Sequence, residues 1–430
     1  MKMFADLHIH SKYSRATSRE MDIPGLTQNA QTKGLNIVGT GDFTHPSWIR
    51  ELKEQLVEVD GTGLYKPIEY EKTPLYFMIT TEVSTIFEFE GKVKKIHHVI
   101  LAPNLSTAEQ INDRLSKFGD LSIDGRPTLN MPAPELVEEV MSVSDWNEIF
   151  PAHIWTPWYS IFGAFSGFDR MDDCYQDMTT YIHAAETGLS SDPPMNWRIS
   201  ALDGFTLVSN SDAHSPWPWR MGREANVFDL DEIAYKEIIE TIRRKDAKKF
   251  LSTIEVNPEY GKYHWTGHRS CGVSLSPVEA MKLGNKCPVC HKELTKGVDQ
   301  RIEELADRPS GFRLKDATNY VHLLPLHEII SSVLGDTSLR GPKISSIYDA
   351  LIASFGNEYN ILLDATREQL MKVTTPVICE GIMRTREGRF KVTPGYDGVY
   401  GHLILFDESE QQPKERRKPA KRQKSLEDFM

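Results

Sequence analysis

Asp6-Leu7-His8-Ile9-His10 alternates polar and aliphatic side chains, so in an extended segment Asp6, His8 and His10 project to one face and Leu7 and Ile9 to the other. Metal-type side chains recur downstream wherever a short apolar run ends. Asp42 follows Asn36–Thr40, Glu82 follows Leu75–Ile79, and His97 and His98 lie within Ile96–Leu101. His153 follows Ile149–Ala152, Glu186 follows Tyr181–Ala185, and Asp212 and His214 follow Phe205–Val208. Amphipathic stretches between the runs, Trp48–Val59, Thr107–Phe118, Glu135–Val143 and Glu232–Arg244, read as helices. This is a β/α alternation, and one donor per strand end is what an α/β barrel with its site on the C-terminal face requires. A single His or Asp at a strand end is more often a helix cap; a series of them calls for a shared polynuclear site. Imidazole and carboxylate donors suit zinc, manganese or iron, and several carboxylates allow bridging between metals.

The composition fits a multidomain globular chain. At 430 residues, 40% hydrophobic and 26% charged, it is long enough for about three domains and has no membrane-spanning apolar run. The N-terminus lacks an apolar signal region, which predicts a cytoplasmic, nucleoid-associated protein. Net charge is −11, but residues 414–430 hold seven basic and three acidic side chains, leaving −15 on the other 413 residues. So acidic a body excludes nonspecific coating of DNA and expects any nucleic-acid contact to be local and metal-centred. Neither a Gly-x4-Gly-Lys-Ser/Thr nor a Gly-x-Gly-x-x-Gly loop is present.

The set Asp6–His10, Gly39-Thr-Gly-Asp42, Thr81-Glu82, His97/His98, Ala152-His153 and Ser211-Asp-Ala-His214 resembles the polymerase and histidinol phosphatase (PHP) metallo-phosphoesterase pattern over about 250 residues. The resemblance implies a distorted seven-stranded β/α barrel binding two or three divalent metals, Zn, Mn or Mg. His8, His10, Glu82 and Asp212 would hold one metal, and Glu82 would bridge to a second held by His153 and His97, with His98 the competitor. Asp212, Glu82, His8 and Glu186 would carry the chemistry. A third metal would fall to His214 with Asp42 or His45, although Phe43 stands where the pattern has His and the further early His is missing.

His268-x2-Cys271-x15-Cys287-x2-Cys290 reads as a zinc ribbon, because each two-residue spacing turns two donors onto one tetrahedral face. With no spare ligand position the zinc would be structural, leaving His264 and His291 as bystanders. The aromatics Trp155, Trp158 and Tyr159 after His153, and Trp217 and Trp219 after His214, leave the strands on the metal-bearing side. They are candidates for walling a cleft and stacking bases.

The order of barrel, ribbon with Ser274-Leu-Ser-Pro277, helical region with Ala306-Asp-Arg-Pro309, and Gly395-Tyr-Asp-Gly-Val-Tyr-Gly401 resembles the archaeal endonuclease Q family along the whole chain. That resemblance implies a repair endonuclease nicking DNA 5′ of a deaminated base (uracil, hypoxanthine, xanthine) or an abasic site. The chain divides into a metallo-phosphoesterase domain (1–255), a zinc ribbon (256–300), a mainly helical domain (301–408) and a disordered basic tail (409–430). Gln423, Leu426, Phe429 and Met430 in the tail resemble the motif by which DNA enzymes dock on the sliding clamp PCNA, and the last three share one face of a helical turn. A histidinol-phosphatase-type enzyme acting on small molecules, or a non-catalytic nucleic-acid-binding protein, are the alternatives. The ribbon, the aromatics and the basic tail argue against the first.

Overall fold

The computed structural model describes residues 1–70, 72–336 and 338–406, so the clamp-motif residues Gln423, Leu426, Phe429 and Met430 lie outside the described residues. The fold is mixed α/β. Strand Lys2–Asp6 pairs in parallel with Ile37–Gly39, which pairs in parallel with the long strand Tyr76–Phe89. On its other side Lys2–Asp6 runs antiparallel to Ala225–Asp229, and Phe250–Glu255 follows, again antiparallel.

One reversal departs from the β/α alternation. Tyr76–Phe89 turns back directly into Lys92–Ala102, an antiparallel pair in register from Ile79↔Ala102 to Phe89↔Lys92. The two turn residues, Glu90 (φ 50°) and Gly91 (φ 73°), are both left-handed, the geometry of a tight two-residue hairpin whose twist matches its strands. His97 and His98 therefore lie inside a reversed strand, not at the C-terminal end of a parallel one. Glu148–Pro151 pairs antiparallel to that strand, and Ala184–Glu186 pairs in parallel with Thr206–Val208. Further backbone hydrogen bonds join these segments: Ile154 N–H donates to Glu186, Asp212 N–H to His8, and His10 N–H to Ala213.

Helices cover the outside of the sheet where their apolar spacing matches it. In Leu105–Leu115 the buried positions Thr107, Ala108, Ile111 and Leu115 make one stripe, and Asn104 caps the helix by accepting from Thr107 N–H. The side chains they cover, among them Phe77, Ile79, Val83, Ile100 and Ile149, are fully buried. Each such burial contributes roughly 1.5–3 kcal/mol.

The C-terminal region is mainly helical, with Leu326–Leu334, Pro342–Phe355 and Pro376–Arg386, yet it also lends strand Asn319–His322 to the main sheet, parallel to Phe250–Glu255. A boundary at residue 300 thus does not divide the sheet. A buried ion pair fastens this region to the first: Lys33 Nζ lies 2.7 Å from Glu358 Oε1, and Glu358 also accepts from Leu326 N–H and the Tyr348 hydroxyl. The Gly-rich close returns to the 259–269 segment, where Gly395 accepts from Trp265 N–H and Asp397 from Arg269 N–H. Among the described residues no helix is long and apolar enough to cross a membrane.

Candidate metal centre

The period-two spacing sends His8 and His10 to one side, and strand register decides the rest. Glu82 and Ser84 share a face of their strand, Ser84 is paired with His97, and Val83 is paired with His98. Parity therefore puts His97 beside Glu82 and turns His98 to the opposite face. There His98 Nε2 meets Thr85 Oγ1 and Nδ1 meets the Tyr175 hydroxyl, both at 2.9 Å.

Two groups of donors form, and they share Glu82. His8, His10, Glu82 and Asp212 place one ligand atom each within 4.8 Å of one another, as do Glu82, His97 and His153. Glu82 Oε2 lies 3.6 Å from His8 Nε2 and 3.2 Å from His10 Nε2, and Asp212 Oδ1 lies 3.8 and 3.0 Å from the same nitrogens. Glu82 Oε1 lies 2.8 Å from His97 Nδ1 and 3.2 Å from His153 Nε2, which are 3.2 Å from each other. Ligands about 2.0–2.1 Å from a tetrahedral cation stand ~3.3 Å apart, so both groups have the spacing of a metal's coordination sphere.

Three atoms of the first group, His8 Nε2, His10 Nε2 and Asp212 Oδ1, are buried and without a hydrogen-bond partner among the described residues. Unsatisfied buried polar atoms are costly, and a cation satisfies all three together. The surroundings fix each ring so that its free nitrogen faces inward. His8 Nδ1 is held by Glu186 at 3.0 Å, His10 Nδ1 by Asp42 at 3.0 Å and His153 Nδ1 by the Ser160 hydroxyl at 3.0 Å. Glu186 also accepts from Asn210 Nδ2 and His153 N–H. Asp42, His153 and Asp212 all adopt positive φ, at 51°, 29° and 47°, a strain of about 1–3 kcal/mol each that clusters at functional sites.

The charge balance points the same way. Burial alone would raise Glu82, yet His97, Arg126 and His8 hold its carboxyl well below the usual range. Burial would likewise lower His8, but Glu186 and Glu82 drive it well upward, and Asp42, with Asp212 and Glu82, does the same for His10. The carboxylates call for positive charge at the orphaned nitrogens. His97 is pushed down to about 4 by burial, which leaves a neutral imidazole with a lone pair to give.

Several predicted site residues are placed elsewhere. Glu186 stands behind His8 and does not face either group of donors. Both Asp42 oxygens are engaged, Oδ1 with His10 and Oδ2 accepting from Ser11 N–H and its hydroxyl. His45 caps the Pro46–Gln55 helix by accepting from Ser47 N–H through Nδ1, while Nε2 meets the Ser122 carbonyl. His214 Nδ1 lies 2.9 Å from the Asp212 carbonyl oxygen. The residues proposed for a third metal, Asp42, His45 and His214, are thus not brought together. Asp6 turns to Ser211 and Gly222, and burial pushes its carboxyl up to about 6.

The aromatics separate by exposure. Trp155 is buried, donates from Nε1 to Asn196 Oδ1 and packs on Phe162, so it belongs to the core and not to a cleft wall. Trp217 and Trp219, both half-buried, stack on each other and continue into Arg340 and His327 of the helical region. Trp158 is different: it is 41% exposed and lies parallel to Phe165, itself 49% exposed, at 5.0 Å. Its neighbour Tyr159 sits 4.8 Å from the His97 ring. Sequence reasoning missed Arg126, whose Nη1 lies 3.1 Å from Glu82 Oε2.

His268, Cys271, Cys287 and Cys290 also converge within 4.8 Å. The hairpin of Thr266–His268 with Val273–Leu275 carries the first pair, and Gly272, left-handed at φ 64°, turns the chain just after Cys271. Burial opposes ionisation of Cys287, but the backbone N–H groups of Cys290 and Val289 and the His268 imidazole bring its thiol down to about 6. A thiolate there suits a soft divalent cation.

Comparison with known proteins follows this geometry. Residues 325–389 match the family model described as the MJ0043 C-terminal domain. The chain is 33% identical to uncharacterized protein MJ0043 of Methanocaldococcus jannaschii over 253 residues, 58% of this chain but only 31% of that protein. It is 29% identical to uncharacterized protein YqxK of Bacillus subtilis over 94% of this chain and 99% of that one. Two solved structures superpose at TM-score 0.84 with 33% identity and 96% of this chain covered: the lesion-specific endonuclease PfuEndoQ from Pyrococcus furiosus, covered over 98%, and endonuclease Q in complex with a 27-mer duplex bearing an abasic lesion at the active site, covered over 99%.

Proposed function

Because the chain belongs to the endonuclease Q family, we propose that it is a metal-dependent DNA repair endonuclease that nicks the backbone 5′ of a deaminated base (uracil, hypoxanthine, xanthine) or an abasic site. The observation that carries this reading is the pair of donor groups sharing the Glu82 carboxylate, with three orphaned buried atoms aimed into one of them. In this reading residues 1–255 form a PHP-type barrel, 256–300 a zinc ribbon and 301–408 a helical domain. His8, His10, Glu82 and Asp212 hold one divalent ion and Glu82, His97 and His153 the other, with Zn, Mn or Mg as candidates; zinc in the ribbon is structural. The bound ions supply electrophilic stabilisation of the charge that gathers on the phosphate oxygens and acidify the attacking water.

The chain's own residues do the rest. Glu186 and Asp42 keep the His8 and His10 rings in the tautomer that presents Nε2. Asp212, 30% exposed, is the carboxylate of the cluster that reaches the opening, where it can take a proton from water. Trp158 and Phe165 offer an exposed aromatic platform on which an unstacked base can rest. The tail motif Gln423, Leu426, Phe429 and Met430 docks on PCNA.

The test is nicking of duplex oligonucleotides containing uracil, hypoxanthine, xanthine or an abasic site, beside an undamaged duplex and p-nitrophenyl phosphate, with Mg, Mn and Zn in turn. Lesion-dependent nicking supports the reading. Turnover of p-nitrophenyl phosphate with no cut in any duplex would replace it with a small-molecule phosphatase.

A further inference from the structure

Among the described residues no third group of metal donors forms beside these two, but a cationic side chain stands there. Arg126 lies in the loop before strand Thr128–Leu129, and both of its neighbours in the chain are pinned. Gly125 N–H donates to the Tyr13 carbonyl and the Gly125 carbonyl accepts from the Thr44 hydroxyl, while the Pro127 carbonyl accepts from Ser84 N–H. Gly125 packs so closely that a Cβ there would come within 2.3 Å of Asp42 Oδ2 and 2.4 Å of Ser14 Oγ. A loop held at both sides of one residue presents that residue's side chain in a fixed direction. Nη1 is 3.1 Å from Glu82 Oε2, while Nε and Nη2 make no hydrogen bond among the described residues. The side chain is 28% exposed, so it is not sealed from solvent.

We propose that Arg126 grips the scissile phosphate, its free guanidinium donors binding a non-bridging oxygen beside the two metal-donor groups. This rests on the phosphodiesterase reading of the same site. The competing role is a structural one, in which Arg126 only balances the buried Glu82 carboxylate. The guanidinium fork favours the phosphate role, because only Nη1 is committed to Glu82 and the Nε and Nη2 donors remain for a phosphate oxygen. Both Asp42 oxygens and both His45 ring nitrogens are engaged in other bonds, as is His214 Nδ1, and Arg126 supplies positive charge beside the two donor groups.

The probe is inorganic phosphate titrated calorimetrically into the full-length, Mn-loaded protein, with metal content measured on the same samples. Arg126→Met should weaken phosphate binding about 30-fold while retaining the wild-type metal content, and Arg126→Lys should recover part of that loss. Phosphate binding within twofold of wild type in Arg126→Met, loss of metal from that variant, or no phosphate binding by the wild-type protein would each overturn the assignment. Nicking is scored separately. A protein that binds phosphate through Arg126 yet cuts no lesion-bearing duplex keeps this inference and loses the endonuclease reading; one that cuts, with phosphate binding indifferent to Arg126, does the reverse.

Discussion

Replacing His97 and His98 one at a time tests the strand register that assembles the site, because the two are adjacent in sequence and opposite in role. His97→Ala removes a donor 2.8 Å from Glu82 Oε1 and 3.2 Å from His153 Nε2. The second metal group is left with two of its three protein ligands, so the protein should bind one divalent ion fewer and lose on the order of 10²-fold or more in nicking rate. His98→Ala removes no metal donor. It does leave the buried Tyr175 hydroxyl without its partner, while the Thr85 hydroxyl keeps its bond to the Ile96 carbonyl. At about 1–3 kcal/mol for the one unsatisfied hydroxyl and roughly 2 kcal/mol for the cavity, destabilisation should reach ~3–5 kcal/mol, on the order of 10 °C in melting temperature. Metal content by mass spectrometry after dialysis, thermal unfolding and single-turnover nicking of an abasic duplex read the three quantities. Metal lost from His98→Ala and retained in His97→Ala would refute the register argument.

Cys290→Ser should release one zinc and unfold the 264–295 module locally, seen as loss of zinc and new protease cleavage there, because four-ligand zinc supplies the module's folding free energy; full zinc content would remove the ribbon. Trp158→Ala should weaken binding of lesion-bearing duplex by ~1–3 kcal/mol, about 5- to 150-fold, with an unchanged melting temperature since the side chain is 41% exposed; equal affinity by fluorescence anisotropy would end its role as a platform. Phe429→Ala should cost about thirtyfold in PCNA affinity and leave nicking of a short oligonucleotide unchanged, as an anchor typically carries ~2 kcal/mol or more; wild-type clamp binding would mean the tail is not the docking element.

The sequence exposed the site more fully than the topology. Donors at period two are legible because strand geometry makes spacing into facing, so the spacing of His8 and His10 is enough to put both rings on one face. His97 and His98 could not be separated without knowing their partner strand, and the reversed hairpin at Glu90-Gly91 supplied it. His45 illustrates a different limit. Next to Pro46 it opens a helix, and an N-cap role competes directly with metal binding for the same ring nitrogen. Trp217 and Trp219 follow His214 closely in the chain, but their packing depends on Arg340 and His327, more than 100 residues away, which no local pattern reveals. Arg126 carries no motif at all; only the pinning of Gly125 and Pro127 brings it to Glu82.

The most direct test of the account is to incubate a duplex carrying one abasic site with the wild-type protein and with Asp212→Asn, each loaded with Mn, and to map the product ends at nucleotide resolution. The account predicts one cut on the 5′ side of the lesion by the wild type. It also predicts no cut by Asp212→Asn, whose fold should be intact because Asp212 Oδ1 is an orphan among the first group of donors and not a core contact. Cleavage by Asp212→Asn at the wild-type rate, or a wild-type cut independent of the lesion, would contradict it.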